Sequence, residues 1–276
     1  MKTTMIALLT DFGTADPYVG IMKGIITDLA PNVPLIDLTH HIPPGDIQRA
    51  AFALWQAARD LPQGTVFLCV VDPGVGTKRN AVYLDTGGQI FIGPDNGIFS
   101  YLLYNADHSS WLLSNTKHQG QKGSTTFHGR DIFAPAAAFA SQGIPGEQFG
   151  AAVDLRSLLT QPRLLYNERS IAGEILSTDH FGNLFTSLGL FQVVKQTLFL
   201  ESWITGEAQK AGPIQGIQIQ AGNQFLPFVD TFNAVEPGNC AGLIGSTGLL
   251  EIISNQGSAA DTLGLDRGDP VLLVWD

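Results

Sequence analysis

Four polar clusters in this chain could carry chemistry, and three of them close short apolar runs. Thr10-Asp11 ends the run from Met5 to Leu9, and Asp37-Leu-Thr-His40-His41 ends the segment that starts at Val33. Asp72-Pro-Gly-Val-Gly-Thr-Lys-Arg79 ends the run from Thr65 to Val71. The fourth, Phe127-His128-Gly129-Arg130-Asp131, opens an Ala-rich segment. In open α/β sheets, ligands sit beyond the carboxyl ends of strands, so strand-end polar residues are the first candidates.

Each candidate has two readings at this level. Asp11 is either a turn or helix cap, which Asp fills often, or a carboxylate that accepts hydrogen bonds from a sugar diol. Asp72 and Arg79 flank a Gly-rich loop. They are either a surface turn with an incidental ion pair or a paired carboxylate and guanidinium at a pocket edge, where the glycines let backbone approach a ligand. His128 is one of six histidines, and a lone His serves structural hydrogen bonding more often than catalysis.

Several other chemistries lack their residues. The loop after the third run has no Walker pattern, and no Gly-x-Ser-x-Gly elbow supports a serine hydrolase. The pairs His40-His41 and His108/His118 have no Cys or carboxylate partners at metal-ligand spacing, so no metal site is expected. The clusters alone support an α/β enzyme with a polar pocket and do not name a substrate.

The elements that must position these residues are legible from periodicity. Residues 5–9, 33–38 and 65–71 read as buried strands. Val19–Leu29 has helical apolar spacing and stops at Pro31, and Asp46 is placed to cap a helix over Ile47–Asp60. Ala81–Asp85 and Gln89–Ile92 read as strands joined through Gly-Gly. Asp131–Gln142 reads as a helix with Pro135 in its first turn. This alternation predicts an N-terminal α/β domain with a central, mainly parallel sheet.

From about Ile171 the pattern changes. Short β-type segments recur between Gly and Asn: Ala172–Thr178, Leu184–Leu188, Ile214–Gln220, Ala241–Gly245, Leu249–Ser254 and Val271–Trp275. They predict a smaller C-terminal antiparallel, β-barrel-like domain. The expected domains are residues 1–160 and 170–276, with the boundary in the Leu155–Arg169 stretch.

Composition sets the outer limits. The chain has 276 residues, 44% of them hydrophobic and 14% charged, which is ample for a core. Net charge is −10, from 15 basic and 25 acidic residues, and no basic run is present to meet nucleic acid. No apolar stretch approaches the roughly 20 residues of a membrane span. Two distant cysteines, Cys69 and Cys240, give no disulfide framework. A soluble cytoplasmic protein is the expectation, with no nucleic-acid or membrane partner.

Six ordered motifs then give the chain a likeness. They are Leu8-Leu-Thr-Asp-Phe-Gly-Thr14, Val71-Asp-Pro-Gly-Val-Gly76 with Arg79, Gly93-Pro-Asp-Asn-Gly97, Phe127-His-Gly-Arg-Asp-Ile-Phe-Ala-Pro135, Asp179-His-Phe-Gly-Asn183 and Ser246-Thr-Gly-Leu-Leu-Glu-Ile252. Together they span nearly the whole chain. The sequence resembles the S-adenosyl-L-methionine hydroxide adenosyltransferase family, the hydrolase relatives of fluorinase and chlorinase.

The resemblance implies hydrolysis of S-adenosyl-L-methionine to adenosine and methionine, without a cofactor. It implies a homotrimer, each site drawing on the N-terminal domain of one subunit and the C-terminal domain of a neighbour. The family's water-activating Asp, Arg and His fall on Asp72, Arg79 and His128. The ribose-binding carboxylate falls on Asp11, and Asp16 falls where relatives contact the methionine amino group. Asn183 matches a residue that binds the methionine portion. Phe181 and Phe232 fall near positions that pack on adenine or ribose, and Ser246 near those that bind the methionine carboxylate.

Two departures from the halogenating relatives sort the rivals. Fluorinase and chlorinase carry Tyr where this chain has Asp72, and a carboxylate there repels a halide and suits a water. Fluorinase carries Ser where this chain has Gly129, but chlorinase has Gly as well. A halide-dependent adenosyltransferase is therefore disfavoured by Asp72. A non-catalytic S-adenosyl-methionine or adenosine sensor is disfavoured by the full triad. A purely structural protein fits worst, given so many polar strand ends.

Overall fold

The computed structural model describes residues 5–104, 106–120, 123–155 and 158–275. It divides into two compact units between Leu159 and Thr160. Among the described residues, the first unit holds six strands: β1 Met5–Thr10, β2 Leu35–Thr39, β3 Thr65–Val70, β4 Ala81–Asp85, β5 Ile90–Pro94 and β6 Ser109–Leu112. They form one sheet in the order β2-β1-β3-β5-β4-β6. The pairs β1–β2, β1–β3 and β3–β5 are parallel, while β4 runs antiparallel to β5 and β6.

Helices cover both faces, and strand alternation decides which residue meets which helix. Ile6, Leu8, Val66 and Leu68 pack with Met22 and Ile26 of α1 (Tyr18–Leu29). Ala7, Leu9, Phe67 and Cys69 face Ala50 and Leu54 of α2 (Ile47–Asp60). Being covered on both sides, β3 is buried along its whole length, so it reads as an unbroken apolar run. Asp46 caps α2 by accepting the Arg49 N–H at 3.0 Å. A single turn, α3 (Ser100–Leu103), follows β5.

The Ala-rich helix departs from the sequence reading at its start. A wide π-type turn over Gly129–Phe133 precedes α4, which spans Ala134–Ser141. Pro135 explains part of this. It has no N–H to offer the Asp131 carbonyl, and that carbonyl instead accepts the Gly120 N–H at 2.7 Å. The helix thus opens at Gly129, two residues before the expected Asp131, and His128 immediately precedes it.

The second unit is antiparallel. Its strands are β7 Leu164–Asn167, β8 Ser170–Thr178, β9 Leu184–Gly189, β10 Phe191–Val194, β11 Thr197–Glu201, β12 Ala208–Pro213, β13 Gln218–Ala221, β14 Gln224–Pro227, β15 Cys240–Ile244, β16 Leu249–Ser254 and β17 Pro270–Val274. Its main sheet runs β14-β13-β17-β8-β9-β16-β15, with β7 also on β8. A Phe228–Gly242 bridge brings the chain after β14 against β15, so the sheet nearly closes on itself. Ile171, Ile175, Leu184, Ile219, Leu250, Ile252 and Leu273 fill it. A short helix, α5 (Ala259–Leu263), packs on this core through Ala259.

Two segments correct the pattern reading. The expected strand over Ile214–Gln220 begins only at Gln218, because 214–217 form a turn between β12 and β13. A separate sheet, β10-β11-β12, lies in a stretch for which the sequence pattern gave no assignment. Its strands are short, and much of their surface is exposed, so no clean alternation marks them. No helix among the described residues is long and apolar enough to cross a membrane.

Phe67 is fully buried and stacks on Phe91 at 4.8 Å between ring centroids. Phe67→Ala is expected to lower unfolding free energy by about 3–5 kcal/mol in a denaturant titration.

Candidate active site

Parallel pairing sets two carboxylates on one edge of the sheet. Thr10 pairs with Val70, so Asp11 and Asp72 lie one and two residues past neighbouring strand positions. Asp11 is held through Oδ2, which accepts the Gly45 N–H at 2.9 Å. Among the described residues that is its one side-chain hydrogen bond, which leaves acceptor capacity for a ligand. Asp16 is exposed, in the turn before α1.

The loop from Asp72 to Arg79 folds back on itself. Thr77 donates to the Gly74 carbonyl through both N–H, at 3.1 Å, and Oγ1, at 2.7 Å. Residues of the Gly93–Gly97 motif fix both ends of this loop. Asn96 Nδ2 donates to the Val71 carbonyl at 2.8 Å, and the Asp95 N–H donates to the Asn80 carbonyl at 3.0 Å. Gly76 lets the loop approach the next segment. Its φ is +79°, and a Cβ there would lie 2.7 Å from the Thr125 carbonyl oxygen.

The result is a three-residue cluster. Arg79 Nε lies 2.9 Å from both Asp72 carboxylate oxygens, and Arg79 Nη2 also donates to Oδ2. The same Nη2 lies 2.8 Å from His128 Nδ1. The Asp72 side chain is 4% exposed and that of Arg79 10%. The guanidinium also lies over the Phe133 ring at 5.3 Å, which helps fix its plane.

This geometry assigns the histidine tautomer. A guanidinium only donates, so His128 Nδ1 must accept and the ring hydrogen sits on Nε2. Burial and the Arg79 charge also push the His128 pKa down, which favours the neutral ring. The segment that carries His128 is braced by Asp131. Asp131 accepts from Arg130 Nε at 2.7 Å and Nη2 at 2.8 Å, and from the Ser124 N–H at 2.7 Å. Arg130 is the main reason the Asp131 carboxyl sits below its ordinary range.

Gly129 is buried directly after His128. A Cβ there would come within 3.1 Å of both Met22 Sδ and the Phe127 ring. Phe127, Phe12 and Tyr18 pack edge to face with one another, at centroid distances of 5.3–6.2 Å. A larger side chain at 129 would therefore press on this aromatic group.

The other candidates belong to the second unit. Asp179, which sequence reasoning passed over, organises two of them. Its Oδ1 accepts the Phe181 and Asn183 N–H groups, each at 2.8 Å, and Oδ2 accepts Asn183 Nδ2 at 2.9 Å. The signal was present in the spacing Asp-x-Phe-x-Asn, an Asx-type turn. Asn183 is buried with its amide nitrogen committed, whereas Phe181 is 74% exposed. Phe232, 43% exposed, opens a short 3₁₀ turn, and Ser246 lies in the turn between β15 and β16.

Glu251 is the second residue the sequence did not single out. It is 7% exposed, pressed against Gly245 Cα, with its pKa raised to about 7 by burial and by the Asp179 charge. Among the described residues no cluster of three or more His, Cys, Asp or Glu is arranged to hold a metal.

Comparison with known proteins follows the same division. Residues 6–150 match the family model described as SAM hydroxide adenosyltransferase N-terminal domain, and residues 173–272 match the corresponding C-terminal domain. The chain is 38% identical to the (R)-S-adenosyl-L-methionine hydrolase of Thermus thermophilus, over 96% of this chain and 98% of that protein. It is 26% identical to a fluorinase of Actinoplanes, over 96% and 95% of the two chains. A crystal structure of an uncharacterized conserved protein from Thermotoga maritima superposes with a TM-score of 0.85 at 30% identity, covering 98% of this chain and all of that one.

Glu251 makes the stability of the chain depend on pH. The folded-state value lies above the 4.5 of a free Glu, so the folded chain binds more protons than the unfolded one between about pH 4.5 and 7. Stability contributed by this group is complete below that window and is lost as pH rises through it. Glu251→Gln is expected to raise the melting temperature at pH 8 and not at pH 4.5. An equal shift at both pH values would contradict the assignment.

Proposed function

The chain belongs to the SAM hydroxide adenosyltransferase family, and from that membership we infer that it hydrolyses S-adenosyl-L-methionine to adenosine and L-methionine, with Asp72, Arg79 and His128 handling the attacking water. The observation that carries the residue assignment is the Arg79 guanidinium shared between the Asp72 carboxylate and His128 Nδ1.

The chemistry asks little of the protein beyond placement. The sulfonium leaves as a neutral thioether, so no general acid is needed. Water attacks C5′ as the bond from C5′ to sulfur breaks, and the water must give up a proton. Holding the water in line with that bond can supply several kcal/mol of barrier reduction. Asp72 is the acceptor for the proton, since Arg79 engages part of its oxygen lone pairs and a carboxylate offers about four. His128 cannot serve through Nδ1, whose lone pair faces Arg79; it acts as a donor through Nε2. Arg79 therefore orients both groups at once.

Asp11 takes the ribose hydroxyls, with Asp16, Gly129, Phe181, Asn183, Phe232 and Ser246 completing the substrate contacts. Carboxylates at 11 and 72 favour the cationic substrate over neutral adenosine, which assists product release. The assembly proposed is a homotrimer.

Incubation with S-adenosyl-L-methionine in ¹⁸O-water, with and without chloride, checks the reaction by mass spectrometry. Adenosine labelled at its 5′-oxygen beside unlabelled methionine is the expected outcome. Chloride-dependent 5′-chloro-5′-deoxyadenosine would move the chain to the halogenating branch, and retained ligand without turnover would make it a sensor. Asp72→Asn is expected to lower kcat by about 10²–10⁴-fold with little change in KM. Asp11→Ala is expected to raise KM mainly.

A further inference from the structure

Behind Asp11 runs a line of polar side chains that the reaction above does not use. Lys23 Nζ meets Asp37 Oδ2 at 2.6 Å. Asp37 Oδ1 lies 2.9 Å from His40 Nε2, off the line of a straight N–H···O bond. His40 Nδ1 lies 2.9 Å from Thr10 Oγ1. Thr10 is fully buried and His40 is 4% exposed.

The direction of these contacts follows from the groups. A carboxylate oxygen this close to a bare nitrogen lone pair would be repelled, so Nε2 carries hydrogen. In a neutral ring Nδ1 then accepts, and the Thr10 hydroxyl donates to it. The Thr10 oxygen in turn accepts the Phe12 N–H at 3.3 Å, and the His40 carbonyl accepts the Gly13 N–H at 2.7 Å. Residues 10, 12 and 13 are thus tied to His40, and Asp11 is the residue between them. Among the described residues, Asp11's own side chain is steadied by the Gly45 N–H alone.

We propose that His40 is a positioning residue for the substrate site: joined to Thr10 and Asp37, it fixes the backbone on both sides of Asp11 and so sets where the ribose carboxylate points. This rests on the assignment of Asp11 to the ribose. His40 does not itself touch substrate, and its effect passes through Asp11. Asp72 sits past the end of a different strand, so the inference separates binding from chemistry.

The test is a KM-against-kcat split read beside adenosine binding. Thr10→Val keeps the shape and removes the hydroxyl, and Thr10→Ser restores it. His40→Asn keeps a partner for Thr10 and loses the reach to Asp37. Thr10→Val and His40→Asn are expected to raise the KM for S-adenosyl-L-methionine and the Kd for adenosine roughly tenfold, as for one lost, well-placed hydrogen bond. Expected kcat stays within about threefold, and Thr10→Ser restores native values. In an Asp11→Ala background the same changes should add nothing to KM or Kd, because the residue they position is gone.

Calorimetry with adenosine does not depend on turnover, so failure of hydrolysis in the native protein would be seen separately from failure of this inference. Equal proportional losses of kcat and affinity would overturn it. So would full additivity with Asp11→Ala, or native chain that binds no adenosine.

Discussion

The guanidinium of Arg79 meets the Asp72 carboxylate through Nε and Nη2 and the His128 ring through Nη2. Much of the first unit can be understood as the means of making that contact. Asp72 and Arg79 come from the two ends of the loop between β3 and β4, and His128 from the entry to the π-type turn before α4. Each must arrive within about 3 Å of a planar group whose donors are fixed in direction. Buried ions tolerate little misplacement, because a charge that loses its partner inside a protein costs several kcal/mol. The surrounding structure therefore restrains all three approaches.

The restraints are backbone and side-chain hydrogen bonds made by residues that have no chemistry of their own. Asn96 holds the carbonyl before Asp72, and the Asp95 backbone holds that of Asn80 beyond Arg79. Gly76 allows the loop to lie against Thr125, and Asp131 ties Ser124 and Arg130 around His128. Pro135 leaves a carbonyl free for Gly120, which anchors the same stretch. The tautomer of His128 is then a consequence of the fold, since the group that meets Nδ1 is a donor.

The second unit uses carboxyl groups differently. Asp179 spends both oxygens on the turn that carries Phe181 and Asn183. Glu251 lies buried near it, where like charge and burial both oppose ionisation. One acid builds a turn and the other titrates near neutrality, although both are side chains of the same type on one small β-unit. Burial is the main reason Glu251 holds its proton, with the Asp179 charge adding to it and a hydrogen bond with Thr247 opposing it.

The sequence by itself determined a good deal. Short apolar runs ending in polar residues marked β1, β2 and β3, helical apolar spacing marked α1, and Asp46 marked the head of α2. Those patterns are local, so they survive without a structure. The ordered motifs pointed to Asp11, Asp72, Arg79 and His128, though not to the bonds between them. Other features were illegible because they depend on distant partners. Asp72 and His128 are joined through Arg79, 49 residues before the histidine, and no spacing rule encodes that. The π-type turn at Gly129 depends on Gly120 taking a carbonyl, and the β10-β11-β12 sheet lacks alternation because much of its surface is exposed. The tertiary structure alone decided which lone pair of His128 is occupied and how buried Glu251 is. Both are set by neighbours brought close through folding, and a chain read in order has no access to distance.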